Sequence, residues 1–339
     1  MNQPSKNRKQ EDLLKRPFRF LVNWRVFPRY ELISYVLMYA SVPMLAYGIQ
    51  TYTTDVIRII ILTVLTMYSG FFAALIWNDI TDVDIDAVVH PNRPITRGKI
   101  SSKKFFAIAL IFSAMTFIFA FLVSIWCLMV VGMAALFVTF HNKFLKKTIK
   151  IPAYSEIFTP IQWVVVAIFG FVAIWAVIPQ ATDLALTLPL LGTISTNGSE
   201  VQNMILLVLF TYFADNAHDL PEGIHDVEGD RKLGVKTYAT SFGIKNAAFI
   251  SFLMFLISGI LGILLFIQTI LSFVFLIPFI CIWIYILHWS YKLVKADKRD
   301  MKELGTLVGR KGFDYFLISY NLIFLDILLQ LINHHFNIL

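Results

Sequence analysis

Nine stretches of this chain are apolar enough, and long enough or nearly so, to cross a hydrocarbon core of about 30 Å. They lie near residues 31–50, 56–77, 103–124, 126–141, 156–178, 201–218, 246–267, 269–289 and 313–332. Lipid offers the backbone no hydrogen-bond partner, so runs of this length must satisfy their own N–H and C=O groups as helices. The expectation is an all-α, polytopic integral membrane protein. Its nine transmembrane helices would form a bundle of two pseudo-equivalent four-helix halves plus a ninth helix. Residues 1–30 read as a basic cytoplasmic or interfacial segment, 31–332 as the membrane domain and 333–339 as a short tail. Composition agrees, with 58% hydrophobic and 15% charged residues. Soluble domains carry about 25% charge, and a chain this apolar has too little polar surface to cover itself in water. Disorder, collagen, coiled coil and a small disulfide scaffold are excluded on the same figures. Cys127 and Cys281 both sit inside apolar runs and read as small buried hydrophobes.

The net charge of +7 is a statement about topology. All of the 29 Lys and Arg except Arg58 fall in the segments that nine crossings would put on one side. That is the positive-inside pattern, which places the N-terminus and the basic loops in the cytoplasm and the C-terminus outside. Nucleic-acid binding has no place in this account. Residues 1–30 lack the apolar core and small-residue cleavage site of a signal peptide. Arg16, Phe18, Arg19, Phe20, Trp24, Arg25 and Phe27 interleave cations with aromatics, as in a helix lying on an anionic leaflet.

Two acidic regions carry the chemistry. After the second span the chain reads Asn78-Asp79-Ile80-Thr81-Asp82-Val83-Asp84-Ile85-Asp86. Asp79, Asp82 and Asp86 are three and four residues apart and share a helical face, whereas Asp84 points elsewhere. Stacked like charges repel, so a cation is expected among them, and an all-oxygen donor set suits magnesium before calcium. Arg93, Arg97 and Lys99 follow in a turn-rich segment. Carboxylate, metal and arginine together hold a phosphate ester. After the sixth span Asp215, Asp219, Glu222, Asp226 and Asp230 repeat the spacing, forming one stripe if the helix survives Pro221 and Gly223. Arg231, Lys232 and Lys236 come next. One acidic loop is ordinarily solvated surface; two in register, each followed by cations, fit a polyanion clamped through bridging metals. Elsewhere plainer readings suffice. Glu156 reads as an acid at a helix N-terminus, His334 and His335 as exposed tail, and Asp314 and Asp326 flank or enter the last span.

These strings resemble the UbiA superfamily of intramembrane prenyltransferases. Asn78, Asp79, Asp82 and Asp86 match its first motif, Asn-Asp-x-x-Asp-x-x-x-Asp, and Asp226 and Asp230 match its second, Asp-x-x-x-Asp. Pro91-Asn92-Arg93-Pro94-Ile95 and Gly98-Lys99-Ile100-Ser101 look like the branch of chlorophyll synthases and digeranylgeranylglyceryl phosphate synthases. Residues 141–148 resemble a Tyr-x-x-x-x-Lys loop, with His141 in place of Tyr and Lys146 or Lys147 as the cation. The chain departs from the family at His218 and Asp219, where the lipid branch has Arg-Glu, and at Glu222 and Gly223, where another branch has Tyr-Ala. The segment 179–200 is also longer than expected.

The resemblance implies that magnesium, held by Asp79, Asp82, Asp86, Asp226 and Asp230, neutralises an isoprenoid diphosphate. Asn78, Arg93, Lys146, Arg231 and Lys236 would bind its oxygens, with Asp219 and Glu222 as further members of the site. The prenyl chain would lie in an apolar tunnel open to membrane lipid, and its group would pass to a hydrophobic aromatic or lipid acceptor. Aromatic carbon is favoured slightly, on the Glu222–Gly223 departure. No acceptor base is assigned. A terpene cyclase on the same fold is the alternative. A divalent-cation transporter is disfavoured, because transport sites sit near the bilayer midplane.

Overall fold

Each of the nine spans is occupied by helix in the computed structural model of the chain, which describes residues 28–81, 83, 101–145, 148–178, 183–189 and 191–336. In chain order the helices are α1 (Arg29–Tyr47), α2 (Thr54–Thr81), α3 (Ser102–Val123), α4 (Ile125–Phe140), the short α5 (Tyr154–Phe158), α6 (Ile161–Trp175), α7 (Gly198–Leu233), the short α8 (Tyr238–Phe242), α9 (Ile244–Gln268), α10 (Phe273–Lys295) and α11 (Met301–Phe336). Asp82, Asp84, Asp86, Arg93, Lys146, Lys147 and the interfacial segment through Phe27 lie outside the described residues.

The all-α expectation needs one correction. Between α6 and α7 the chain forms an antiparallel hairpin of β1 (Leu184–Leu188) and β2 (Gly192–Thr196), with Leu186 opposite Ile194. Leu184, Leu186 and Leu188 alternate with Ala185 and Thr187, a period of two that suits a strand, and Gly192 takes φ +77 at the turn. This hairpin accounts for the unusual length of the 179–200 segment.

Seven helical stretches are long and apolar enough to cross a membrane: Thr54–Thr81, Ser102–Val123, Ile125–Leu145, Tyr154–Trp175, Ile244–Gln268, Phe273–Lys295 and Met301–His335. α1 and α7 fall short of that measure, and both bury polar side chains. α1 buries Tyr35 and everything from Met38 to Tyr47, including Ser41. α7 buries Thr211, Asp215, Asn216 and His218. A helix surrounded by protein can carry polar groups that lipid would exclude. α7 packs most extensively on α9 and α11, and α1 on α11.

The 36 residues of α7 extend about 54 Å at 1.5 Å per residue, far more than a core of about 30 Å requires. The surplus carries the second acidic motif beyond the apolar span. Pro221 lies inside this helix and has no N–H for the Ala217 carbonyl four residues back. Ser251 of α9 supplies the missing donor, its Oγ reaching the Ala217 oxygen at 2.7 Å. α11 runs alongside. A Cβ on Gly305 would stand 2.7 Å from the Pro221 oxygen, and one on Gly312 would stand 2.7 Å from His218 Cβ. Only glycine permits so close an approach. α10 runs on to Lys295 and α11 starts at Met301, so the segment left between the last two expected spans shrinks to the five residues between Lys295 and Met301. Lys302 Nζ bonds Glu228 of α7 at 2.7 Å, and this bond holds the Glu228 carboxyl below the usual glutamate range. Asp326, fully buried, accepts from the Ser272 N–H at 2.6 Å and from the Ser272 hydroxyl. It is therefore engaged in fastening the start of α10 to α11.

Candidate active site

Small side chains open a space in the bundle. Gly70, Ala73 and Ala74 of α2 face Ala134 and Ala135 of α4, and between them lies a cavity of about 520 Å³. Phe71, Leu75, Phe117, Val131, Trp163 and Val166 make most of its wall apolar. The Trp77 indole donates to Ser113 Oγ at 3.0 Å and ties α2 to α3 across the lining. From Thr66 to Asn78 the α2 wall runs about 18 Å at 1.5 Å per residue.

The polar end of the cavity is the end that carries the first acidic motif. Asn78 and Thr81 line it from α2, and Asn142 and Lys143 from the far side. Val131, Ala134, Ala135, Val138, Thr139, Asn142 and Lys143 continue one stripe with helical spacing. The last two of these belong to a turn of π-helix, His141–Leu145, that extends α4. Such turns are rare and concentrate at functional sites. His141 anchors this one, buried with its ring 5.9 Å from Phe137 and 5.5 Å from Tyr154. The family-type loop therefore delivers a cation to the cavity at Lys143, a position the motif comparison passed over. Asp79 is buried in the last turns of α2, 1% exposed.

The second motif lies on the extension of α7. Asp226 and Asp230 are half-buried one turn apart, with Arg231 and Lys236 exposed beyond them. Asp219 sits 3.5 Å from His218 Nδ1, and His218 Nε2 lies 3.0 Å from Asp215. Glu222 is exposed, its stem packed over Gly309 of α11. The predicted stripe is thus continuous through Pro221, though its members differ: Asp215 and Asp219 engage His218, and Asp226 and Asp230 are half-buried nearer the helix C-terminus. After α7 the chain turns through Gly234 at φ +73 into α8, whose start is held by a Thr237–Thr240 capping box. Burial pushes the Tyr238 phenol there up to about 12.

Among the described residues, no three His, Cys, Asp or Glu converge closely enough to hold a metal ion, and no second-motif residue lines the cavity. The donor chemistry nevertheless suits a hard cation. Asp226 and Asp230 are one helical turn apart, about 5–6 Å between Cβ atoms, and offer oxygen alone.

A family model described as the UbiA prenyltransferase family matches residues 36–304. The chain belongs to that family. Over 170 residues this UbiA-family chain is 28% identical to the digeranylgeranylglyceryl phosphate synthase of Saccharolobus solfataricus, a match covering 50% of this chain and 52% of that one. The chain thus spans about half the length of the curated relative it matches. A UbiA homologue from Aeropyrum pernix K1, solved in its apo form, superposes with a TM-score of 0.61 at 18% identity, covering 86% of this chain and 99% of that one. Another, from Archaeoglobus fulgidus and bound to DMAPP and Mg2+, gives 0.51 at 15% identity, covering 85% and 96%. At these identities the structural likeness is one of fold.

Proposed function

We propose that the protein is a magnesium-dependent intramembrane prenyltransferase. It would move a prenyl group from an isoprenoid diphosphate to a lipid-like acceptor and release diphosphate. The observation that carries this reading is the cavity: an apolar trough about 18 Å along α2, ending at Asn78, Thr81, Asn142 and Lys143. A prenyl chain of several isoprene units fills such a trough, leaving its charged head at the polar end.

Asp79, Asp82, Asp86, Asp226 and Asp230 are the residues that would hold magnesium, which when bound neutralises the diphosphate and favours its departure. Asn78, Arg93, Lys143, Lys146, Arg231 and Lys236 bind and orient the remaining oxygens. The bond from the prenyl C1 to the bridging oxygen breaks with both electrons leaving on diphosphate. The acceptor then gives a lone pair to the allylic carbon and loses its proton. Phe71, Leu75 and Val166 keep water from the cation, and Phe71, Trp77 and Trp163 are the residue type whose π faces steady it.

The relatives named as digeranylgeranylglyceryl phosphate synthases support a glycerophosphate-type lipid acceptor over the aromatic one. The departure that favoured the aromatic also has a local explanation: a Cβ at position 223 would lie 2.5 Å from Glu156 Oε1. Gly223 thus answers to packing. The same reading gives nine crossings, two four-helix halves plus a ninth helix, with the N-terminus and motif-bearing loops cytoplasmic. Diphosphate release from a prenyl diphosphate, followed with and without added glycerophosphate lipid or aromatic acid, tests it. Release that rises only with an acceptor supports transfer; equal release without one contradicts it.

A further inference from the structure

The segment before α6 touches both parts of the second acidic region, although it is about eighty residues away in sequence. Ala153 takes a left-handed φ of 57, unusual for a residue with a side chain. Its N–H donates to Ser241 Oγ at 3.0 Å, and the Ser155 N–H, two residues on, donates to the Lys236 carbonyl at 3.1 Å. Glu156 is buried, 7% exposed, and one of its carboxylate oxygens accepts the Tyr238 N–H. The other rests on Gly223, three residues before Asp226. A buried carboxylate is costly unless hydrogen bonds hold it, and one beside an anion-binding site would also repel the anion. Glu156 directs its charge into backbone instead, where such bonds are strong. The same segment follows the π turn bearing Asn142 and Lys143.

We propose that Glu156 is a positioning residue, which fixes the Lys236 segment against the Asp226 turn of α7, so that the diphosphate meets a preformed site. Gly223 is the partner that makes room for it. The proposal rests on the reading above that Asp226, Asp230 and Lys236 serve the diphosphate.

The test compares Glu156→Ala, Glu156→Gln, Gly223→Ala and the double variant Gly223→Ala/Glu156→Asp with Asp226→Asn. In Glu156→Ala, amide hydrogen exchange over residues 236–242 should quicken. Its KM for the prenyl diphosphate should rise roughly 10–100-fold, the range for partners that orient ligands, with the acceptor KM unchanged. Glu156→Gln, which keeps an acceptor oxygen, should retain most function. Gly223→Ala should resemble Glu156→Ala, and the shorter Asp in the double variant should recover much of the loss; this pair decides the matter if Glu156→Ala does not fold. Unchanged exchange and donor KM in Glu156→Ala, or a harmless Gly223→Ala, would overturn the positioning role alone. Full activity in Asp226→Asn would overturn the site reading and this inference with it.

Discussion

At the residue scale the proposed mechanism depends on carboxylates that would bind a hard cation. Asp79→Asn and Asp230→Asn should each lower turnover by at least about 100-fold, because each weakens the charge stabilisation of the departing diphosphate. Asp84→Asn, off the shared face, should do much less harm. Steady-state kinetics in excess magnesium checks this, and near-normal turnover in either of the first two would remove the metal clamp from the mechanism. The three- and four-residue spacing of these acids is legible because it is a local property of the chain. Lys143 is not: its place at the cavity follows from the π turn after α4, which local sequence does not announce. Glu156 read as a helix N-terminal acid. It does occupy the first turn of α5, but its partners Tyr238 and Gly223 are a matter of tertiary packing.

At the element scale two features can be probed separately. The far end of the cavity includes Tyr39, Thr66 and Met67. Met67→Trp should shorten the trough and shift preference toward shorter donors, seen as a fall in kcat/KM for geranylgeranyl diphosphate relative to geranyl diphosphate. An unchanged ratio would mean that the chain lies elsewhere. The continuity of α7 through Pro221 is the second feature. Ser251→Ala leaves the buried Ala217 carbonyl without a donor, at a cost of about 1–3 kcal/mol, and should lower the unfolding temperature. Pro221→Ala restores the helical N–H, so the Ser251 effect should shrink in that background; equal losses in both would contradict the pairing. Sequence left survival of this helix conditional on Pro221, since the hydroxyl that rescues it lies 34 residues away. The helical spans were readable because their apolar runs match the hydrocarbon thickness. The hairpin was missed because its apolar run is too short to read as a span, and the extension of α11 back to Met301 because residues 301–312 carry several charges.

At the scale of the whole molecule, the basic loops argue for one orientation in the bilayer. On a background lacking Cys127 and Cys281, single cysteines at Asn92 and Asn197 should be labelled from opposite sides of sealed vesicles. Labelling of both from one side would overturn the nine-crossing arrangement. α1 and α7, which fall short of the hydropathy of the seven candidate spans, bury polar groups such as Ser41, Asp215 and His218. The central claim, that this bundle transfers a prenyl group between two substrates, is tested most directly by mass spectrometry of products from the purified protein. The reaction would contain magnesium, a panel of prenyl diphosphates, and glycerophosphate lipid and aromatic acceptors added singly or omitted. The account predicts a product whose mass is that of donor plus acceptor less diphosphate, formed with the lipid acceptor and abolished by EDTA. A cyclic terpene formed efficiently from the donor alone, with no acceptor present, would contradict it.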